Sequence, residues 1–419
     1  MTALNEIIYK NFVPRDFNEY LVTMMKNCYH LLESLLGYQL QPKTVVDESY
    51  QEKMIDFLRL FLSQHLSRLE HSQQLPIIEF LKPVFKFTFY ANNFRGLVSC
   101  LDIWSGLVDY VRGSIEAKKD QDTEIIEKYQ EVLMSLVMEI LKKCQFRLNS
   151  EELNQIDNET VGEDGLTEWQ HFIIQVIELV MKISDVLPQQ VQEIINTGWR
   201  ETSKQYLEFD EILKKDGVCA IDHEQEAKLV CVLKDLSTFL MLIGRLSDMF
   251  TGLHFLPRLK VGLEHVKHLL MIVEFGSKQK LWSLECLHSA PALRANLISC
   301  HGETIASLKA WCHWLASLHT ESLQDSSYTW LCSDLTSNIV KNIVPVVKDT
   351  SVTHLTHSGA HFLVTLTGTV RPASIWKLKD FTDLYNMIHQ LELQPEAHRL
   401  LVRSLTNVLL LPWPGNNHF

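Results

Sequence analysis

The sequence predicts an all-α protein built from consecutive antiparallel helix pairs. Two observations predict this fold class. Apolar residues recur at steps of three and four along nearly the whole chain, which is the spacing of one helix face. Glycine and proline are scarce, with 16 and 12 residues among 419, which disfavours a turn-rich β protein. No series of alternating strands interrupts the pattern, and we expect about fifteen helices from it.

Two segments show the helical stripe most clearly. In residues 47–70 the stripe includes Met54, Phe61 and Leu69, and residues 227–250 repeat it from Leu229 to Phe250. Helix ends are predicted by the same local chemistry. Ser49 with Glu52 and Thr167 with Gln170 have capping-box spacing. Gly37 and Gly276 follow apolar helical runs and are therefore predicted to end helices.

The length of the helix pairs predicts how they are assembled. Each pair spans roughly 40 residues, the repeat length of HEAT and armadillo proteins. The prediction is therefore a right-handed α-solenoid of HEAT/armadillo-like antiparallel pairs, and a compact multi-helix bundle is the alternative. We expect repeats over residues 1–148, continuation of the same solenoid over 169–414, and a short tail at 415–419.

An acidic segment at 149–168 separates the two stretches of repeats. It contains few apolar residues and seven acids without an intervening base, so it is predicted to be a loop. The candidate contact residues for a basic partner are Glu151, Glu152, Asp157, Glu159, Glu163 and Asp164, with Glu168 completing the run. The alternative interpretation is a solvated connector without a partner.

Charge and cysteine usage narrow the classes of function. Acids outnumber bases by 51 to 39, giving a net charge of −12, which disfavours a nucleic-acid-binding protein and favours basic protein partners. The nine cysteines are widely spaced without a CxxC pair, a pattern typical of a reduced compartment. Neither a signal peptide nor an apolar run long enough to cross a membrane is found.

No motif predicts catalysis. Phosphate-binding glycine loops and nucleophile elbows are absent from the sequence. His354, His357 and His361 have spacing that could place them on one helix face around a metal, but packing against a neighbouring helix is the favoured interpretation. Trp311 and Trp314 could stack a ligand, and interhelical packing is again favoured. The prediction is a binding protein that is not an enzyme and uses neither a cofactor nor a metal.

Several blocks of sequence resemble a known family when taken in order. They are "DESYQEKMIDFLRLFLSQHLSRLE", "PIIEFLKPVFKFTFY", "GLVSCLDIWSGLVDYV", "LKDLSTFLMLIGRLSDMF", "LKAWCHWLA", "VTLTGTVRP" and "RSLTNVLLLPWP". Together they resemble the importin-β (karyopherin) superfamily, in the branch of nuclear export receptors that carries actin–profilin. The resemblance extends nearly from end to end.

The resemblance implies a function and partners. Members are HEAT-repeat solenoids that bind cargo together with Ran in its GTP form, contact nuclear pore proteins, and shuttle between nucleus and cytoplasm. It also implies that this chain is a segment, without the N-terminal Ran-binding arch and the C-terminal part of a complete receptor. A generic helical-repeat scaffold without transport activity is the alternative, because the same fold supports both functions.

Overall fold

The structure is a computed structural model that describes residues 2–9, 17–39, 47–70, 74–91, 94–117, 122–158, 165–214 and 221–410. Within these ranges every regular element is helical, which confirms the predicted all-α class. The α-helices are α1 (Thr2–Tyr9), α2 (Asn18–Gln39), α3 (Glu48–Leu69), α4 (Ile77–Lys86), α5 (Phe94–Ala117), α6 (Asp122–Lys143), α7 (Phe146–Asp157), α8 (Glu168–Val186), α9 (Pro188–Leu207), α10 (Phe209–Leu213), α11 (His223–Leu246), α12 (Leu259–Gln279), α13 (Pro291–Ala310), α14 (Cys312–Gln324), α15 (Thr329–Lys348), α16 (Thr353–Thr365), α17 (Lys379–Met387) and α18 (Pro395–Leu409).

The chain divides into two compact units, residues 1–194 and 195–419. In the first unit, α3 packs against α1 and α5, and α5 packs against α8. A second layer is formed by α2, α4 and α6, and it contacts the first through α2 with α3 and α5 with α6. Helices that alternate between two layers are the arrangement expected of helical repeats.

The second unit repeats this arrangement with its own helices. One layer runs α11, α13, α16 and α18, and the other runs α12, α15 and α17. Contacts of α12 with α13 and of α15 with α16 join the two layers. The two-layer packing inside each unit agrees with the predicted helix pairs. The right-handed course of one solenoid through 1–148 and 169–414 stays a prediction, and the tail at 415–419 lies outside the described residues.

The predicted helix starts are right at one position and wrong at another. At α8, the Thr167 hydroxyl accepts from the Gln170 backbone N–H at 3.1 Å, and the Gln170 side chain accepts from the Thr167 N–H at 2.9 Å. This is the expected capping box. At α3 the cap is Asp47, which accepts from the Tyr50 N–H at 3.3 Å. Ser49 lies inside the first turn instead.

Both glycines predicted to end helices lie inside them. Gly37 belongs to α2, and Gly276 belongs to α12. Helix α12 ends at Gln279, three residues after Gly276, and the next residue, Lys280, has a left-handed φ of 44°. Gly276 is needed for packing, because a Cβ there would lie 2.3 Å from Nδ1 of His301. A Cβ at Gly198 would likewise lie 2.3 Å from the ring of Phe239, and one at Gly262 would lie 2.4 Å from the ring of Trp314.

Replacing Gly276 with alanine is expected to destabilise the second unit. The His301 ring is buried and lies against Trp282, with 4.9 Å between ring centroids, so it has little room to withdraw. We expect the substitution Gly276→Ala to lower the free energy of unfolding by about 2–3 kcal/mol, within the range for overpacked cores. Urea denaturation of the variant and of the unmodified chain measures this difference.

The matched control is Gly113→Ala in α5, where no atom lies within 4 Å of the added Cβ. Alanine there should stabilise the first unit by about 0.5–1 kcal/mol, because glycine is the poorer helix former. Equal effects of the two substitutions would contradict the packing role of Gly276.

A cluster of aromatic rings and a histidine fills the core of the second unit. Trp311 lies 5.2 Å from Phe250, 5.4 Å from His265 and 6.1 Å from Trp314, measured between ring centroids. The Trp311 indole N–H donates to the Ile243 carbonyl at 3.0 Å. Both tryptophans are fully buried, which confirms the interhelical-packing interpretation of this pair.

Glu70 joins three helices of the first unit at the end of α3. Its carboxylate accepts hydrogen bonds from Tyr110 in α5 and from Lys128 and Tyr129 in α6, the last two at 3.0 and 3.1 Å. Burial raises the pKa of Glu70, but these donors outweigh burial and leave its pKa below the ordinary value. An ionised carboxylate therefore stabilises the contact between the layers.

The cysteines of the described residues do not form disulfides. Eight are free, six of them buried, and Cys219 lies outside the described residues. Burial raises the pKa of Cys28, Cys100, Cys300 and Cys312 to about 12. These thiols are therefore protonated and weakly nucleophilic. In the part of the chain that the structure describes, no helix is both long enough and apolar enough to cross a membrane.

Candidate protein-interaction surfaces

The predicted acidic segment begins as a helix. Phe146 packs edge-on against Trp169 with 4.8 Å between ring centroids, and Leu153 and Ile156 are buried. These three apolar side chains attach α7 to α8. Asn149 caps the preceding helix by donating to the Lys142 carbonyl at 2.8 Å.

The structure therefore corrects the predicted loop 149–168 at both ends. Residues 149–157 belong to α7, and Glu168 is the first residue of α8. The loop prediction failed at its start because the buried side chains of α7 provide enough apolar contact for a short helix. Glu159, Glu163 and Asp164 lie outside the described residues.

The predicted acidic contact residues differ in their surroundings. Glu151 and Glu152 are exposed on α7, and neither forms an ion pair within the described residues. Asp157 is half-buried and accepts from the Thr167 hydroxyl at 3.3 Å. That hydrogen bond joins the end of α7 to the start of α8.

Three ion pairs join α5 to α8. Arg95 lies 3.5 Å from Glu168, and Arg112 lies 3.4 Å from Asp185. Lys182 binds Asp109 at 2.8 Å. These acids help to align two helices of one layer. Glu151 and Glu152 are thus better placed for a basic partner than Glu168, whose charge already has a cation beside it.

A groove of about 830 Å³ lies in the second unit between residues 281–291, the first half of α13 and the start of α16. Its apolar lining is Trp282, Leu284, Leu287, Pro291 and Ile298. His288, Arg294 and His354 add polar groups, and Arg294 donates to the Trp282 carbonyl at 2.9 Å. No carboxylate of the described residues lines this groove.

The three histidines of α16 face different surroundings. His354 lines the groove just described. His357 lies 3.5 Å from Glu396, and its ring centroid is 6.2 Å from that of His361. His361 lines a second groove, beside α18. Among the described residues, no group of three or more histidine, cysteine, aspartate or glutamate side chains is placed to hold a metal ion.

One serine–histidine contact has the distance of an activated nucleophile. Ser203 Oγ lies 2.8 Å from His268 Nε2. Ser203 is fully buried, however, and lines neither of the two grooves. Its hydroxyl also donates to the Arg200 carbonyl at 3.2 Å. The pair packs α9 against α12 and offers no access to a substrate.

Sequence reasoning missed both grooves of the second unit. Each groove joins two stretches that lie far apart in the chain, and no local spacing connects Arg294 with His354 or Arg371 with Arg403. The one local feature that could have indicated a groove is a basic residue within an otherwise apolar helical segment. Such residues are common on helix surfaces and therefore do not predict a groove.

Two layers of helices within each unit define the class of helical-repeat proteins. Comparison with curated proteins identifies the particular group. Exportin-6 of Danio rerio is 35% identical over 430 residues, which cover 99% of this chain and 38% of that protein. Exportin-6 of Homo sapiens is 34% identical, and that of Dictyostelium discoideum is 24% identical, each over 99% of this chain and 38% of the relative.

The chain is therefore homologous, along nearly its whole length, to a portion of exportin-6, a nuclear export receptor. This confirms the family resemblance of the sequence blocks. The chain spans 38% of the length of these curated relatives. No family model matches it, and no solved structure matches it.

Proposed function

We propose that the chain is a segment of a nuclear export receptor that binds actin–profilin as cargo together with Ran in its GTP form. In this proposal the receptor moves its cargo from nucleus to cytoplasm and contacts nuclear pore proteins on the way. The observation that carries the proposal is similarity to exportin-6 over 99% of the chain in vertebrates and in Dictyostelium discoideum alike.

The fold supports binding through many dispersed contacts. Stacked helix pairs present long surfaces on which each repeat contributes a few side chains. Such surfaces suit a large protein cargo better than a small substrate, which needs an enclosed pocket with a few convergent polar groups.

The acidic segment is the proposed contact for a basic patch on a partner. Glu151 and Glu152 are exposed and free of ion pairs within the described residues, and Glu159, Glu163 and Asp164 follow close by in the sequence. Asp157 belongs to the same group through its position at the end of α7. Clustered charges of one sign raise the association rate of an oppositely charged partner and make it salt-dependent.

Capture of actin–profilin tests the proposed function. The immobilised chain, and a longer receptor chain that contains it, are incubated with actin–profilin alone, with GTP-loaded Ran and with GDP-loaded Ran. GTP-loaded Ran should increase capture by the longer chain. Capture that is the same with both forms of Ran would contradict an export receptor and favour a generic scaffold.

The acidic contact gives a second, quantitative prediction. Glu151→Gln with Glu152→Gln should weaken binding of the partner complex roughly threefold at low salt, since each exposed charge contributes a few tenths of a kcal/mol. Raising the salt concentration should reduce the difference. The control is Glu211→Gln with Glu224→Gln, which removes the same charge from exposed positions in the second unit. An equal loss in both variants would indicate only a net-charge effect.

A further inference from the structure

A second groove of the second unit has the opposite charge to the chain as a whole. It lies between α16, the π-helical turn Leu366–Val370 and α18, with a volume of about 570 Å³. His361, Arg371 and Arg403 line it together with Thr365, Thr369 and Asn407. Val364, Leu400 and Leu410 supply apolar surface. We call it the arginine groove.

The two arginines are not neutralised by carboxylates. Within the residues that the structure describes, neither Arg371 nor Arg403 forms an ion pair, and both are exposed. Glu396, an acid in the first turn of α18, lies 3.5 Å from His357. Two unpaired guanidinium groups in one groove are unusual in a chain whose net charge is −12, and they favour an anionic ligand.

The backbone holds Arg371 in a costly conformation. Its φ of 53° and ψ of 48° are left-handed, a region that non-glycine residues rarely occupy. The Arg371 N–H closes the π-helical turn on the Leu366 carbonyl at 3.3 Å, and its Nε donates to the Gly368 carbonyl at 3.2 Å. Strain of this kind is concentrated at functional positions, and π-helical turns occur often at binding sites.

A buried polar network forms the floor of the arginine groove. The Thr367 hydroxyl lies 3.2 Å from that of Ser404, and both residues are fully buried. Asn407 donates to the Thr367 hydroxyl at 3.3 Å and to the Val364 carbonyl at 3.4 Å. These hydrogen bonds tie α18 to α16 and to the π-helical turn, so the groove is organised before a ligand arrives.

The groove and the other exposed side of α18 are separate. Leu400, Arg403, Asn407 and Leu410 recur at steps of three and four and line the groove. Val402 and Leu409, which are 44% and 41% exposed, are seven residues apart and form a stripe elsewhere on the helix circumference. A further helix that packed on this stripe would leave the groove open.

We propose that the arginine groove binds a short acidic peptide segment of a partner protein. A carboxylate of the peptide lies between Arg371 and Arg403, each of which can offer two parallel N–H groups to its oxygens. An apolar residue beside that carboxylate contacts Leu400 and Leu410. A small inorganic anion would use only the cations, whereas a peptide uses both kinds of lining and fits the volume range of ligand grooves.

Peptide binding to the full 419-residue chain tests the proposal. The probes are two fluorescein-labelled libraries of capped octapeptides, one with a fixed Glu-Glu-Leu core and one with Gln-Gln-Leu. Fluorescence anisotropy should show at least about tenfold tighter binding of the Glu-Glu-Leu library, the size expected of one charge-assisted contact. Arg403→Gln and Arg371→Gln should each remove most of that preference, and Arg403→Lys should keep part of it because the charge remains.

The matched control is Arg399→Gln, which removes the same charge from an exposed position one turn earlier on α18, outside the groove. It should bind the acidic library as the unmodified chain does. Unchanged circular dichroism confirms that each variant is folded. Equal binding of the two libraries, an equal loss in Arg399→Gln, or complete displacement of the peptide by equimolar inorganic phosphate would overturn the proposal. The proposal does not depend on Ran or on actin–profilin, so the capture experiment can fail independently of it.

Discussion

Trp311→Ala should lower the free energy of unfolding of the second unit by about 3–5 kcal/mol, the range for removing a buried tryptophan. The substitution empties the space between Phe250, His265 and Trp314. It also removes the N–H that satisfies the Ile243 carbonyl. Trp311→Phe fills most of the space but lacks the N–H that donates to that carbonyl. We therefore expect Trp311→Phe to lower the free energy of unfolding by about 1–2 kcal/mol. Urea denaturation followed by circular dichroism measures both.

The control is Trp330→Ala in the first turn of α15, where the side chain is 74% exposed. Its effect should lie within about 0.5 kcal/mol, as for other surface positions. The two variants lose the same chemical group, so their difference reports the burial of the Trp311 ring together with its hydrogen bond. A loss at Trp311 no greater than at Trp330 would show that the aromatic cluster does not stabilise the unit.

Acidification from pH 7 to pH 5 should produce the second large effect. Burial lowers the pKa of His301 from the ordinary 6.5 to about 4, and burial together with the charges of Arg200 and His268 lowers that of His265 to about 4. The folded chain keeps both rings neutral, whereas the unfolded chain protonates them below pH 6.5. The unfolded state therefore binds more protons, and stability falls as the pH drops through this window.

Each ring should contribute a loss of about 2 kcal/mol by pH 5, since one pKa unit corresponds to about 1.4 kcal/mol. His65, His268 and His319 also have pKa values lowered by burial and act in the same direction, whereas burial raises the pKa of Glu303, which acts in the opposite direction. The comparison between the unmodified chain and His301→Leu isolates one ring, and the variant should lose about 2 kcal/mol less between pH 7 and 5. Parallel curves for the two proteins would mean that His301 is not kept neutral by folding.

Local chemistry accounts for what the sequence predicted correctly. The Thr167–Gln170 capping box needs only residues three apart, and the apolar stripes need only regular spacing. Ordered blocks such as "LKDLSTFLMLIGRLSDMF" were also sufficient to indicate the family.

Contacts between distant helices account for what the sequence could not predict. Gly276 follows an apolar run like a helix terminator, and only the nearby His301 ring explains its position inside α12. The division of "LKAWCHWLASL" into α13 and α14 at Trp311 has no proline or glycine to mark it. The arginine groove depends on residues from three elements, and its left-handed Arg371 has no glycine to indicate the turn.

Four glycine–ring contacts have a mechanical consequence for the second unit. The rings of Phe239, His301, Trp314 and His354 pack against Gly198, Gly276, Gly262 and Gly302 on the facing helices. A ring packed on bare backbone cannot pass a neighbouring side chain, so each contact blocks axial sliding of its two helices while still permitting a small rotation about the ring. Elastic deformation of this unit under load should therefore proceed by pivoting at these four points, and helix pairs without such a contact should yield first.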